Sequence, residues 1–130
     1  MITPTTAIYA SILGLLFAVL SVRVVMLRRR DRVPLGHGAS KPLRRAIRVQ
    51  ANAAEYLPFI LILMALFELN GGPGWELHLY GIAIVVARAL HALWLSRFTG
   101  GSFGRYWGTF TTVAVLVSLA FANLRMVLVG

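Results

Sequence analysis

Apolar residues fill long uninterrupted stretches of the chain, at about Ala7 to Leu27, Leu43 to Leu69, Leu77 to Phe98 and Tyr106 to Val129. A helix needs roughly 20 residues to cross the hydrocarbon core of a bilayer. The pattern therefore predicts four membrane-spanning helices, over residues 5–30, 43–69, 76–98 and 104–128 of one 130-residue domain. Breaker clusters separate them: Pro34, Gly36, Gly38 and Pro42 in the first connector, NGGPG at Asn70 to Gly74, and TGGSFG before the last stretch. Short connectors between four spans predict an up-and-down all-α bundle.

Composition agrees: 58% of the residues are hydrophobic and 13% charged, against roughly 25% charged in a water-soluble domain. An ordinary soluble globule and a disordered chain are both excluded. The first stretch has no basic residue before it and runs into Arg28, Arg29 and Arg30 instead of a small-residue cleavage site, so it is expected to remain as an anchor.

Charge then fixes the topology. The formal net charge is +9, and of thirteen basic residues nine lie between Arg23 and Arg48. Loops rich in Lys and Arg stay in the cytoplasm, so the first connector and the third, with Arg97 and Arg105, are expected there. Both termini are expected on the opposite side, Arg125 being the one contrary charge. So concentrated a charge on a membrane protein speaks for topology, not for nucleic acid. The absence of cysteine excludes disulfides, thiolate metal sites and a cysteine nucleophile.

Ionisable groups inside apolar stretches carry the chemical information, because a charge at the bilayer centre costs at least ~2.5 to 3.5 kcal/mol without a partner. Helix two holds the densest set, RAIRVQANAAEYLP over residues 45–58. At ~100° per residue, Arg45, Arg48, Asn52 and Glu55 fall within an arc of about 80° and form one stripe. Gln50 and Tyr56 point elsewhere and need another neighbour. The stripe either presents cations, an amide and a carboxylate to one ligand, or Arg48 and Glu55 neutralise each other or pair with Arg88. Arg88 and His91 share a face of helix three; the bland readings are a counter-ion for Glu55 or Glu68, and a hydrogen-bonded interior histidine. Three scattered histidines offer no metal pattern. Arg105 opens helix four between Gly104 and Gly108, which would allow close helix approach; by itself it reads as a boundary anchor beside Tyr106 and Trp107.

Taken together these residues resemble the MAPEG family, small four-helix membrane proteins of eicosanoid and glutathione metabolism. The segment RAIRVQANAAEYLP is similar to that family's helix-two signature, R-x-x-R-x-Q-x-N-x-x-E-Y-x-P, in the form of the leukotriene synthase branch. The basic end of helix one, ELNGG after helix two, R-x-x-H on helix three and G-R-x-x-G-x-x-x-T on helix four extend the likeness along the chain. The resemblance, closest to short bacterial members, implies an inner-membrane homotrimer that binds glutathione as co-substrate in clefts between subunits. A lipophilic second substrate would enter from the lipid. It implies that Arg48, Asn52, Glu55 and Tyr56 hold the tripeptide with a contact from Gln50, that Arg28 or Arg29 faces its carboxylates, and that Arg105 is the catalytic residue beside the thiol. His91 stands where the leukotriene branch carries a tyrosine and joins the implied binding set.

This chemistry suits the residues. Two carboxylates and an ammonium call for several guanidinium groups and one carboxylate. A guanidinium in a dry site favours the thiolate of a thiol whose pKa is ordinarily about 8.5. The expected activity is a glutathione transferase or peroxidase acting on lipophilic electrophiles or hydroperoxides. The alternatives are a non-catalytic binding or scaffold protein on the same fold, and a small transporter coupled through Glu55.

Overall fold

A computed structural model describes residues 1–97 and 102–130, leaving out the side chains of residues 95–97, 102, 104 and 105. The chain folds into four helices: α1 Pro4–Asp31, α2 Lys41–Leu69, α3 Gly74–Arg97 and α4 Ser102–Val129. All four contain segments long and apolar enough to cross a membrane. The protein is an all-α integral membrane protein with a four-helix bundle.

Local chemistry sets the helix ends. Proline occupies the first turn of α1, where a missing N–H is harmless. The next two amides, of Thr5 and Thr6, each donate to the Glu68 carboxylate at 2.8 Å, so the last turn of α2 caps the first turn of α1. At its other end α1 stops on Arg32, a non-glycine residue in the left-handed region at φ 56°, whose N–H returns to the Arg28 carbonyl. Ser40 caps α2 by accepting from the Leu43 amide, and its hydroxyl donates to Asp31. The α2–α3 turn is a Schellman motif: Gly71 adopts φ +79°, its N–H reaching the Glu68 carbonyl, while the Gly72 N–H reaches that of Phe67 at 2.9 Å. Glu68→Ala would leave two α1 amides without an acceptor and is expected to cost about 1–2 kcal/mol. Faster hydrogen exchange at Thr5 and Thr6 checks it.

The core runs along α2. Ala46, Val49, Ala53, Leu57, Ile60, Met64 and Phe67 are all buried, at spacings of three and four, and from Val49 onward they form one cluster with Leu13 and Leu20 of α1, Leu77 and Ile84 of α3, and Val115 and Leu119 of α4. Residues such as Leu15, Val19, Phe59, Ile62 and Phe121 are exposed and form the apolar outer surface of the single chain. Among the described residues α1 packs on α2 and α3, and α4 packs on the same two helices, but α1 and α4 do not meet. Polar ties cross the bundle: Tyr9 Oη to His78 Nδ1 at 2.8 Å, and Asn123 Nδ2 to the Leu63 carbonyl at 3.1 Å. Arg125, the contrary charge in the topology, is paired with Glu76 at 3.0 Å.

Candidate functional site

The connector end of the bundle opens into a cleft of about 630 Å³, lined by Lys41, Arg44, Arg45, Arg48 and Asn52 of α2, His91 of α3, and Tyr106 and Thr109 of α4. Ligand clefts of roughly 300–1,000 Å³ accept small organic molecules. The α2 wall is helical periodicity at work: Lys41, Arg45, Arg48 and Asn52 lie at i, i+4, i+7 and i+11 and share one face. Its other walls come together because Gly108 is buried against His91, where a Cβ would sit 2.8 Å from the His91 Cβ. The approach allowed by Gly108 is thus made to a side chain of α3. Gly104 and the Arg105 side chain lie outside the described residues, although the α4 backbone carries Arg105 next to Tyr106.

Beneath the cleft lies Arg88, only 1% exposed. Its Nη1 donates to Asn52 Oδ1 at 2.5 Å, while Nε and Nη2 are buried without a hydrogen-bond partner. The expected ion pair of Arg88 with Glu55 or Glu68 does not form. Glu68 is engaged by the α1 amides at the far end, and Glu55 is exposed on the outer face of α2. The bond has a consequence for the cleft: with its carbonyl oxygen held by a guanidinium, Asn52 keeps its amide N–H groups to offer a ligand.

Of the nine residues expected in the site, the cleft brings together Arg48, Asn52 and His91. The Arg105 side chain lies outside the described residues, and the other five are placed elsewhere in this single chain. Arg28 braces the connector, donating to the Gly36 carbonyl at 2.8 Å and the Val33 carbonyl at 3.3 Å, and Arg29 is exposed. Gln50 donates to Ser21 Oγ on α1 at 3.4 Å, Tyr56 is half-buried, and Glu55 faces outward. The predicted stripe is therefore split, with Arg45 and Asn52 half-buried and Arg48 and Glu55 exposed. Among the described residues neither Arg48 nor Glu55 makes an ion pair, so mutual neutralisation does not explain them. Lys41, Arg44 and Thr109 were not singled out from the sequence. For Lys41 the signal was present, since it continues the stripe one turn toward the helix start.

The MAPEG family profile matches residues 6–125, nearly the whole chain. The chain belongs to the MAPEG family. Two relatives, both named inner membrane protein YecN, from Escherichia coli K12 and from E. coli O6:H1, are each 40% identical over 86 residues. That segment spans 66% of this chain and 66% of each relative. The MAPEG membership accounts for the helix-two signature as a unit, although in one chain only part of it faces the cleft.

Proposed function

We propose that this MAPEG protein binds glutathione in the connector-end cleft and transfers it to, or reduces with it, lipophilic electrophiles or hydroperoxides. The observation that carries this reading is the cleft lining: Arg45 and Arg48 to pair with carboxylates, Asn52 as an amide donor locked by Arg88, and α4 closing the wall at Tyr106 beside Arg105. Guanidinium groups form paired, charge-assisted hydrogen bonds with carboxylates, which fits the two ends of the tripeptide. Arg105 next to the thiol would hold it as the thiolate, the nucleophilic form. No covalent bond to the protein is needed.

The outward groups support assembly as a homotrimer. Glu55 lies well inside the span of α2, and an exposed carboxylate there would face lipid at a cost of several kcal/mol. A second copy placed against this face would cover it, and would bring Glu55, Tyr56 and Gln50, together with Arg28 or Arg29, to a site completed by the neighbour. The basic connectors support a cytoplasmic cleft with both termini on the other side. The name of the YecN relatives supports an inner-membrane location.

The test is calorimetric titration of glutathione into the purified protein. Wild type is expected to bind, and Arg48→Ala to bind at least ~10-fold more weakly, the loss of one charge-assisted pair. Absence of binding by the wild type, with the bundle folded, would remove glutathione as the ligand.

A further inference from the structure

The cleft holds more positive charge than a tripeptide thiol uses. Four of its lining side chains are cations, Lys41, Arg44, Arg45 and Arg48, and none is a carboxylate. Two carboxylates and an ammonium leave glutathione with one net negative charge, or two as thiolate; on the proposed function Arg45 and Arg48 meet the carboxylates and Arg105 the thiolate. Lys41 and Arg44 remain, both exposed at the start of α2. The first turn of that helix has no acidic residue. Cations there repel one another and oppose the positive end of the helix dipole, so the arrangement is unfavourable until an anion arrives. Asp31, the acidic residue at the start of the connector, is already engaged by Arg30 and Ser40.

Helix length says what kind of anion reaches them. Helix α2 has 29 residues. Counting back from Leu69, about 20 residues of hydrocarbon crossing end near Gln50. Arg44 then stands about 9 Å, and Lys41 about 13 Å, beyond the hydrocarbon edge, level with the headgroup phosphates or within a side chain's length of them.

We propose that Lys41 and Arg44 form a phosphate subsite at the mouth of the cleft, occupied by the headgroup of an anionic membrane phospholipid. The guanidinium takes two phosphate oxygens side by side and the ammonium acts as a point charge beside it. The bound headgroup offsets the repulsion at the start of α2 and stands at the rim of the space where the thiol tripeptide is placed. The subsite is independent of which thiol occupies the floor, since neither of its cations is assigned to the tripeptide.

The experiment uses the full chain in detergent with an equimolar mixture of phosphatidylglycerol and phosphatidylcholine, with retained lipid counted by native mass spectrometry. Wild type is expected to retain phosphatidylglycerol over phosphatidylcholine by roughly 30-fold, the scale for two cations at an anionic surface. The double variant Lys41→Gln, Arg44→Gln is expected to lose that preference with a thermal midpoint no lower than that of wild type, while Arg30→Gln, Arg32→Gln, which neutralises exposed cations outside the cleft, keeps it. Inorganic phosphate in the millimolar range is expected not to displace the lipid. The proposal is overturned by a wild type without preference, by equal loss in the two double variants, or by displacement with inorganic phosphate, which would identify a soluble ligand. Glutathione titration of the same samples reads the other function separately, because Arg45 and Arg48 are intact in both variants.

Discussion

Arg105→Ala is expected to lower glutathione conjugation at least ~10-fold, about 1.4 kcal/mol of transition-state stabilisation, while leaving glutathione affinity within about twofold. The asymmetry follows from what each arginine meets. In the proposed complex Arg45 and Arg48 would face carboxylates that are charged in the free ligand and stay charged throughout. A guanidinium beside the sulfur meets a group of pKa about 8.5 that is mostly neutral until it reacts. Its attraction is therefore concentrated where charge develops, and its loss falls on turnover. Arg105→Lys keeps the charge without the planar fork and is expected to recover part of the rate. Thiolate absorbance of bound glutathione, followed against pH, separates this role from a structural one: the Ala variant should need a higher pH to form the thiolate. Unchanged turnover in Arg105→Ala would move thiol activation to a residue of the cleft lining.

The second large effect is on stability. Asn52→Leu is expected to destabilise the bundle by about 2–4 kcal/mol, because it removes the side-chain acceptor of a guanidinium that is 1% exposed. The companion Arg88→Met removes the buried charge itself and fills similar space with an apolar chain. A double variant carrying both changes is expected to lie within about 1 kcal/mol of wild type, since a buried charge costs most when it is left alone. Equilibrium unfolding in mixed micelles gives the four corners of the cycle. Additive losses would mean that Arg88 is held by something other than Asn52. Glutathione affinity adds an independent readout: Arg88→Met frees the Asn52 amide to turn over and should weaken binding even if the bundle remains stable.

The four spans, the first two breaker turns and the helix-two signature were legible in the sequence because each is a local property, while Thr99–Gly101 of the third breaker lie outside the described residues. Length in apolar residues, Gly and Pro density and the spacing of like side chains need no knowledge of neighbours. The partner of Arg88 was not legible. Charge alone pointed to Glu55 or Glu68, but Glu68 stands at the opposite end of the bundle capping α1, and the carboxylate of Glu55 leaves the outer face of α2. Asn52, one turn from Glu55 on that stripe, reaches Arg88 because it lies on the inward edge. Nor does apolar character separate core from lipid face: Ile60 is fully buried and Phe59 beside it is exposed, and both are equally suited to an oily surrounding. The site residues divide in the same way. Arg45, Arg48 and Asn52 were found by periodicity, while Tyr106 and Thr109 enter the cleft only through the packing of α4 beside His91.

Because α1 and α4 each pack on α2 and α3 but not on one another, the section through the bundle is a lozenge with α2 and α3 on its short diagonal. A lozenge has a soft direction that a square with closed sides lacks. The helix at one acute corner can swing outward without pulling on the helix at the other. Both corners are tied at the far end, α1 by the Glu68 cap and α4 by Asn123 on the Leu63 carbonyl and Arg125 on Glu76. Lateral widening for a bulky apolar molecule would thus fall at the connector end, where α4 carries the cleft wall.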